Sequence, residues 1–380
     1  MSGFGLYVHW PFCAAKCPYC DFNSHVRTSI DEDGWAEAIV RELNHVAGLQ
    51  GANRPVLSTI FFGGGTPSLM SARSVASIIE CATRLWRRAN DIEITLEANP
   101  ASAEAARFAD YAKAGVNRLS LGIQALNDAD LRVLGRLHDV SEAKAALAMA
   151  MRTFNRVSFD LIYARPGQTI DAWRGELGEA LSFGTEHLSL YQLTIEPETP
   201  FAILHKTGKL HLPGDDLAAS FYEMTLEETA RAGLPAYEVS NHARPGAESR
   251  HNLIYWRYGE YAGVGPGAHG RLDLNGKRMA TVGERLPERW REKVARDGHG
   301  FIDISEIDAG SAAREHLLMN LRLSEGIDLA AYRARWGVAP RQETMAALEA
   351  AELVKLERGQ LSATPRGMLV LNSVIAELVN

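Results

Sequence analysis

The segment PFCAAKCPYC, residues 11–20, places three cysteines within eight positions of the chain. Their spacing is C-x3-C-x2-C, formed by Cys13, Cys17 and Cys20, and the fourth cysteine of the sequence is Cys81. Three clustered thiols and one distant thiol do not make a disulfide framework, so metal binding or redox chemistry is the better interpretation. Cys81 lies in a helix-period stretch and is predicted to be a small buried hydrophobe.

Two kinds of metal site are open to the three cysteines. A structural zinc site needs four ligands, and the fourth would have to be His9, His25 or a remote residue. An iron–sulfur cluster instead suits ligation by thiolates alone. A [4Fe–4S] cluster held by three thiolates leaves one iron without a protein ligand, and a substrate or cofactor can bind there. The missing fourth cysteine therefore favours the cluster.

Composition limits the classes of protein to which the chain can belong. It has 380 residues, 46% of them hydrophobic and 23% charged, which is typical of a soluble globular protein of one or two domains. The formal net charge of −7 argues against a broadly basic nucleic-acid surface. The first ten residues lack the pattern of a signal peptide, and no apolar run approaches the roughly 20 residues of a membrane span. We therefore expect a cytoplasmic protein.

The alternation of predicted elements defines the fold class. Six β-branched or aromatic runs alternate with helix-period stretches between residues 5 and 232. This order predicts right-handed crossovers and a parallel sheet, which is either open and doubly wound or an incomplete barrel. The predicted strands are residues 5–10, 57–62, 92–98, 118–124, 156–163 and 187–193.

Polar features follow five of these predicted strands. The cysteine segment follows the first strand and GGGTPS, residues 63–68, follows the second, while Glu97, Gln124 and Asp160 lie at or near the ends of the next three. Because the carboxyl ends of parallel strands meet at one edge, we expect these features to share one rim. The glycines would let the backbone approach a ligand closely. The alternative for that loop is a simple turn in which a hydroxyl residue caps a helix.

The segment CAAKCPYC resembles the C-x3-C-x-aromatic-C signature of the radical S-adenosylmethionine superfamily. The resemblance implies a partial (β/α)6 barrel and a [4Fe–4S] cluster whose open iron is chelated by S-adenosylmethionine. In that superfamily an electron from the reduced cluster cleaves the sulfonium and yields a 5′-deoxyadenosyl radical. GGGTPS is similar to the loop that lies near the methionine amino group.

Longer segments narrow the resemblance to the branch that contains oxygen-independent coproporphyrinogen III oxidase. The similar segments are YVHWPFCAAKCPYCDFNSH, FFGGGTPSLM, RLSLGIQALNDADLRVLGRLH, FDLIYARPGQT and LSLYQLTIEPETPF. That branch has two proposed S-adenosylmethionine sites. By resemblance, the first would involve Tyr7, Gly64 and Glu97. The second would involve Tyr19, Gly65, Thr66, Gln124, Arg136 and Asp160.

Two features separate the chain from the oxidase itself. The oxidase motif runs C-x3-C-x2-C-x-C and follows a long N-terminal extension, whereas here Phe22 stands at the last position and the first strand is predicted at residue 5. The chain instead contains HNLIYW, residues 251–256. This segment resembles the H-N-x-x-Y-W signature of the heme chaperones of the same branch, the HemW family. The resemblance implies a heme site formed with His251, Asn252, Tyr255 and Trp256.

Residue chemistry agrees with a heme site at this segment. Imidazole is a good axial ligand for heme iron. Tyr255 and Trp256 can cover a flat porphyrin, and Arg257 can pair with a propionate. The alternative is that the aromatic residues pack the end of the barrel while hydrogen bonds satisfy His251.

The C-terminal part is predicted to be a smaller, mainly helical module that resembles a winged helix. Residues 301–380 contain eight basic and eleven acidic residues, which is a poor match for a DNA backbone. We therefore interpret the module as a lid on the barrel or a docking surface for a protein. The predicted domains are a radical SAM partial barrel at 1–240, a connecting segment with the heme signature at 241–300 and the C-terminal module at 301–380.

Two functions remain open, with a zinc-bound structural protein as a weaker third. The first is a heme chaperone that passes heme to an acceptor protein and carries a three-cysteine [4Fe–4S] cluster with exchangeable S-adenosylmethionine. The alternative is a coproporphyrinogen III oxidase. Phe22 and residues 251–256 favour the chaperone, so oxidase activity is not expected. The expected partners are heme, a heme-acceptor protein and an electron donor for the cluster, but not nucleic acid. Peripheral contact with a membrane-bound acceptor is also expected.

Overall fold

The computed structural model describes residues 3–379, which form one large sheet, two small sheets and the helices around them. The strands are β1 (Phe4–Trp10), β2 (Phe12–Cys13), β3 (His25–Val26), β4 (Leu57–Gly64), β5 (Arg88–Ala98), β6 (Arg118–Gln124), β7 (Arg156–Tyr163), β8 (His187–Gln192), β9 (Asn241–Ala243), β10 (Tyr261–Val264), β11 (His269–Leu274), β12 (Lys277–Gly283), β13 (Phe301–Glu306), β14 (Ile327–Asp328), β15 (Val354–Glu357) and β16 (Gln360–Ala363).

The helices surround the large sheet and build most of the C-terminal module. They are α1 (Glu32–Gln50), α2 (Ala72–Leu85), α3 (Ser102–Ala105), α4 (Phe108–Lys113), α5 (Asp128–Val133), α6 (Val140–Thr153), α7 (Ile170–Ser182), α8 (Pro200–Lys206), α9 (Asp215–Arg231), α10 (Arg250–Trp256), α11 (Pro287–Asp297), α12 (Ala309–Asn320), α13 (Leu329–Trp336), α14 (Gln342–Ala350), α15 (Pro365–Leu369) and α16 (Leu371–Val379). A 3₁₀ turn at Pro67–Leu69 follows β4.

Six parallel strands form the centre of the large sheet. Its full order is β13-β12-β11-β10-β1-β4-β5-β6-β7-β8-β9, and β1, β4, β5, β6, β7 and β8 are parallel neighbours in chain order. At least one helix follows each of them. The predicted α/β class with six strand–helix units is therefore confirmed, and the edges at β9 and β13 leave the sheet open, as in an incomplete barrel.

Residues after 240 extend this sheet at both edges. Strand β9 pairs antiparallel with β8, while β10 pairs parallel with β1 and continues into the antiparallel strands β11, β12 and β13. The sequence analysis missed these strands because glycines and charged residues interrupt the apolar alternation there. The boundaries at residues 240 and 300 stay predictions, and hydrogen bonds of the large sheet cross both positions.

Helix α2 shows how the apolar pattern builds the core. The hydroxyl of Ser71 caps the helix by accepting from the N–H of Ser74 at 3.2 Å. Val75, Ile78 and Ala82 are fully buried on the face toward the sheet, and burying a side chain such as Val or Ile contributes about 1.5–3 kcal/mol. Cys81 is buried beside them, which confirms its prediction as a small core residue.

The central strands present one face to this core and the other to the barrel interior. In β1, Leu6 and Val8 are fully buried in the core. Tyr7 and His9 alternate with them and point to the opposite face, where the Tyr7 hydroxyl lies 3.0 Å from His9 Nδ1. The interior of the barrel is therefore lined by polar and aromatic side chains.

The C-terminal module has a hydrophobic core of its own, which includes Leu317, Leu321 and Leu361. Its small sheet has the order β14-β16-β15. Two polar contacts join the module to helix α10 and the residue after it. Asn320 Nδ2 donates to the carbonyl of Trp256 at 2.6 Å, and Arg257 pairs with Glu325 at 2.7 Å.

Glu42 is a buried carboxylate that joins helix α1 to the distant edge of the sheet. Its oxygens accept from the N–H groups of Gly265 and Gly300 at 2.7 Å each and from Trp290 Nε1 at 3.2 Å. Burial raises the pKa of Glu42 to about 7, although these hydrogen bonds act in the opposite direction. One side chain thus satisfies three buried donors that lie more than 200 positions away in the sequence.

We expect Glu42→Gln to lower the free energy of unfolding by about 1–3 kcal/mol, because an NH₂ group would face an N–H donor. Glu37→Gln, an exposed change on the same helix, should have no measurable effect. Since the folded pKa lies above the unfolded value, the carboxyl's contribution should decline as pH rises from about 4.5 through 7. Urea unfolding at several pH values measures both effects. Equal midpoints for parent and Glu42→Gln would contradict this role.

Candidate functional site

The three clustered cysteines lie in one loop that follows β1. The loop leaves β2 at Cys13 and returns at β3, and these two short strands pair with each other, Cys13 opposite Val26. Within it, the N–H of Cys20 donates to the carbonyl of Cys17 at 3.2 Å and closes a turn. All three side chains are free thiols and half-buried. The ladder between β2 and β3 therefore closes a short loop that holds every thiol of the predicted cluster site.

His9 and Asn23 hold this loop from behind. His9 Nε2 lies 2.9 Å from the carbonyl oxygen of Asn23, so this nitrogen carries the proton and Nδ1 accepts from Tyr7. Burial lowers the pKa of His9 to about 4, which keeps the ring neutral. The side chain of Asn23 donates to the carbonyls of Pro266 and Arg285, both at 2.9 Å. Because both ring nitrogens are engaged, His9 serves as a brace for the loop.

The glycine loop after β4 packs directly on the cysteine loop. Gly64 has a φ of +111°, and a Cβ there would lie 2.6 Å from the ring of His9. A Cβ on Gly65 would lie 2.6 Å from the carbonyl oxygen of Phe12. The N–H groups of Gly65 and Thr66 donate to the carbonyls of Trp10 and Phe12 at 2.7 and 2.8 Å. Glycine is thus required here for contact between two backbones.

A hydrogen-bond network connects two of the thiols. The Thr66 hydroxyl donates to Cys13 Sγ at 3.4 Å, and Arg136 Nη1 donates to Cys17 Sγ at 3.4 Å. Asn99 joins the two donors, since its Nδ2 donates to Thr66 at 3.2 Å and its Oδ1 accepts from Arg136 at 2.5 Å. Burial raises the pKa of the Cys13 thiol, and the hydrogen bond from Thr66 lowers it. Donors of this kind favour the thiolate that metal binding needs.

A cavity of about 390 Å³ opens in front of this network at the carboxyl ends of the strands. The predicted site residues that line it are Cys13, Cys17, Tyr19, Cys20, Gly64, Gly65, Thr66, Glu97, Gln124, Arg136 and Asp160. Tyr7 is not among its lining residues and lies on the inner face of β1 beside His9. The structure thus brings eleven of the twelve residues predicted for the cluster and S-adenosylmethionine to one cavity, while their ligand contacts stay predictions.

Two carboxyl groups in this cavity have raised pKa values. Burial, with the negative charge of Asp160 adding to it, raises the pKa of Glu97 to about 8. Burial also raises the pKa of Asp160 to about 6, although the hydrogen bond with Ser189 and the nearby Arg118 lower it. Such groups become ionised readily when a cation approaches, because the cation compensates the cost of burying their charge. The cavity is therefore suited to a ligand with cationic groups.

The residues of HNLIYW lie away from this cavity. His251 Nδ1 is 2.7 Å from the hydroxyl of Thr59, and Nε2 is 2.7 Å from the hydroxyl of Tyr255. The ring stacks on Phe61 with centroids 5.1 Å apart, and burial lowers its pKa to about 3. Thr59 belongs to the first half of β4, so helix α10 fills the end of the barrel opposite the carboxyl ends of the strands.

The other three residues of the signature are tied into helix α10 and its neighbours. Asn252 donates its N–H to the Ser249 hydroxyl that caps the helix, and the half-buried Tyr255 ring meets Tyr261 at 4.4 Å between centroids. Trp256 is half-buried. The role of His251, Asn252, Tyr255 and Trp256 in heme binding stays a prediction.

Sequence reasoning missed Asn99 and the glycine-rich stretch at 263–270 as parts of the site. Asn99 directly follows β5, but a single asparagine after a strand has no motif around it. Gly265 and Gly267 have positive φ values, and a Cβ on either would collide with His9 O or Asn23 Nδ2 at 2.3 and 2.6 Å. Their shared position behind the cysteine loop depends on the pairing of β10 with β1, which the sequence pattern did not predict.

Comparison with known proteins adds family relationships to this geometry. Residues 7–177 match the family model of the Radical SAM superfamily, and residues 307–370 match that of the HemN C-terminal domain. The mouse protein named radical S-adenosyl methionine domain-containing protein 1, mitochondrial, is 38% identical and covers 98% of this chain and 87% of its own length. Heme chaperone HemW of Mycobacterium tuberculosis H37Rv is 35% identical over 99% of this chain and 95% of its own.

The chain belongs to the HemW family. Heme chaperone HemW of Escherichia coli K12 is 38% identical and covers 84% of this chain and 82% of its own length. A solved structure of Escherichia coli coproporphyrinogen III oxidase, the radical SAM enzyme HemN, superposes with a TM-score of 0.83. It is 21% identical and covers 100% of this chain and 90% of its own. This likeness confirms the fold, and the HemW relatives confirm the predicted family.

Membership of the radical SAM superfamily makes a [4Fe–4S] cluster and S-adenosylmethionine the cofactors of this HemW-family chain. Within residues 3–379, no three His, Cys, Asp or Glu side chains converge closely enough to hold a single metal ion. A cluster places each thiolate on a different iron, so its ligands stand farther apart than those of one zinc ion. Gln124 Oε1 is buried at the cavity without a partner among the described residues. The free thiols and this unpaired acceptor fit the two cofactors.

We expect Cys17→Ser to lose the cluster on anaerobic reconstitution, because three thiolates are the minimum of this motif. Iron and sulfide should fall from about four of each per chain to a small fraction of that. Cys81→Ser is the matched control and should keep a full cluster, since that thiol is buried in α2. A full cluster in Cys17→Ser, or stoichiometric zinc in the parent, would contradict the assignment.

A second prediction concerns Glu97 and the pH dependence of S-adenosylmethionine binding. The carboxyl stays protonated below about pH 8, and only its ionised form attracts the ligand's cationic groups. Affinity of the parent relative to Glu97→Gln should therefore rise from pH 6 to 8, by at most about tenfold per pH unit, and then level off. Equilibrium binding to both reconstituted proteins measures this ratio. Parallel pH profiles would show that Glu97 does not titrate with binding.

Proposed function

We propose that this chain is a heme chaperone that binds heme and transfers it to an acceptor protein. The observation that carries the proposal is similarity to proteins named heme chaperone HemW, at 35–38% identity over 84–99% of the chain. Similarity of this extent includes the barrel, helix α10 and the C-terminal module together. The proposal therefore concerns the whole chain and not an isolated cofactor domain.

In this proposal Cys13, Cys17 and Cys20 hold the cluster, and S-adenosylmethionine binds exchangeably in front of it. When bound and reduced, the cluster supplies one electron to the sulfonium. The residues of the chain bind the ligand and position the cysteines. Glu97 and Asp160 accept hydrogen bonds from cationic or hydroxyl groups of the ligand, because burial keeps water from competing for them. Arg136 keeps Cys17 in place, and the glycine loop supports the cysteine loop through direct backbone contact.

The alternative function, coproporphyrinogen III oxidase, is supported by the fold alone. Identity to HemN is 21%, a level at which the fold is shared without the activity following from it. Phe22 occupies the position of the last cysteine in the oxidase motif, and its phenyl ring lacks any group that could bind a metal. The chaperone therefore remains the preferred function.

Iron ligation by His251 of the heme signature would require one of its hydrogen bonds to break. Both ring nitrogens of His251 are hydrogen-bonded, so iron ligation by this residue would break its contact with Thr59 or with Tyr255. Each such bond in a buried site contributes about 1 kcal/mol, and the group left behind would lose its partner. Ligation of heme by His251 would thus require a rearrangement of helix α10.

An electron donor for the cluster, peripheral contact with a membrane-bound acceptor, and a cytoplasmic location stay predictions. In the described part of the chain, none of the helices combines the length and apolar character of a membrane span. Bacterial relatives carry the name heme chaperone HemW, and the mouse relative is named as mitochondrial.

Heme titration tests the proposed function directly. Reconstituted protein should bind about one heme per chain, seen as a Soret band that saturates. His251→Ala and Trp256→Ala test the heme signature: weaker binding at parental iron and sulfide content would assign heme to α10, and parental binding would exclude these residues from the heme site. Absence of any saturable heme binding in the parent would overturn the chaperone function.

A separate assay distinguishes the chaperone from the oxidase. Given coproporphyrinogen III, S-adenosylmethionine and a reductant without oxygen, the parent should form no protoporphyrinogen IX above a protein-free control. The physical reason is Phe22 in place of a ligand at the mouth of the cavity. Product formed over repeated turnovers would make the oxidase the preferred function.

A further inference from the structure

Three exposed apolar side chains are among the residues that line the cluster cavity. Phe22 is 64% exposed, Leu137 is 75% exposed and Tyr191 is 42% exposed. They come from separate parts of the chain, since Phe22 belongs to the cysteine loop, Leu137 to the loop between α5 and α6, and Tyr191 to β8. We call these three residues the apolar rim.

Exposure of single apolar residues is ordinary, but convergence around one cavity is not. Phe22 and Leu137 are among the most exposed large apolar side chains of the described residues. A Cβ on Gly135 would lie 2.7 Å from Pro18 Cδ, so the loop that carries Leu137 packs against the cysteine loop. The apolar rim therefore leaves apolar area in contact with water until a ligand covers it.

The charges at the mouth restrict the ligand further. Lys16 is exposed, lines the cavity and makes no ion pair within residues 3–379. Asp21 and Glu196 also line the cavity and would repel an anionic group placed beside them. Arg136 is buried deeper and already bound to Cys17 and Asn99. A ligand with carboxylates would therefore direct them toward Lys16.

We propose that heme binds across this mouth, with its ring against the apolar rim and a propionate at Lys16. Heme has a wide apolar face and two carboxylates at one edge, which matches an apolar rim with one unpaired cation. The inference rests on the proposed chaperone function and gives its cargo a position. His251 cannot be the centre of the same site, because α10 fills the opposite end of the barrel.

Heme in this position covers the cavity that holds the cluster and S-adenosylmethionine. Exchange of S-adenosylmethionine and access of chelators to the cluster iron then require heme to leave or tilt. Bound heme should slow both processes, and bound S-adenosylmethionine should change heme affinity through the same coupling. The rate of S-adenosylmethionine exchange therefore depends on whether heme is bound.

The experiment compares heme affinity by Soret titration in five reconstituted proteins, which are the parent and the variants Phe22→Glu, Leu137→Glu, Ile302→Glu and His251→Ala. Phe22→Glu and Leu137→Glu each place a charge against the porphyrin and should weaken binding about tenfold. Ile302→Glu is the control, because Ile302 is 57% exposed on strand β13 and is not among the lining residues of the cavity. Iron and sulfide content is measured for every protein. If Phe22→Glu loses the cluster because the cysteine loop is disturbed, the heme affinity of Leu137→Glu provides the test. A parallel measurement follows iron release to a chelator with and without heme.

Each outcome has a defined meaning. Weaker binding in both rim variants, parental binding in Ile302→Glu, and slower iron release with heme bound would support the proposal. Parental affinity in both rim variants would overturn the rim as the heme site, and weaker binding in His251→Ala would then assign heme to α10. If the parent binds no heme, the chaperone function itself fails and the rim proposal fails with it.

Discussion

Close backbone packing behind the cysteine loop is the constraint on which the site depends. Gly64, Gly65, Gly265 and Gly267 each lie where a Cβ would collide with this loop or with β1. Hydrogen bonds from His9 and Asn23 complete the enclosure. Because one face of the loop is packed against the sheet, its three cysteines face the cavity, where the other site residues surround them.

The central fold could be predicted because its strands are buried on both faces and separated by amphipathic helices. The shared position of the predicted cofactor-site residues followed from it, because the carboxyl ends of parallel strands meet at one edge of the sheet. Helix α10 and strands β10–β13 could not be placed in the same way. The contacts of His251 with Thr59 and of Glu42 with Gly300 join residues about 190 and 260 positions apart. Short-range periodicity contains no information on such pairs.

The electrostatics of the cavity come from burial as much as from charge. Glu97 and Asp160 share the carboxyl ends of the strands with Arg136, which stays bound to Cys17 and Asn99. The cation therefore serves the cluster loop, and neither carboxyl group forms an ion pair with it. This division gives the inner part of the cavity a preference for cations, whereas the mouth combines apolar side chains with Lys16 and the carboxylates of Asp21 and Glu196. One opening thus combines two environments at different depths.

The bracing of the cysteine loop also determines the order of events when the protein is made. The cysteines leave the ribosome early, but the carbonyl of Pro266 that holds Asn23 follows 243 residues later. Until β10 and the segment before α11 have been synthesised and have joined the sheet, the loop lacks the two hydrogen bonds that Asn23 donates. A nascent chain therefore exposes three unprotected thiols for most of its synthesis, and stable cluster insertion belongs to the time after the sheet has closed around them.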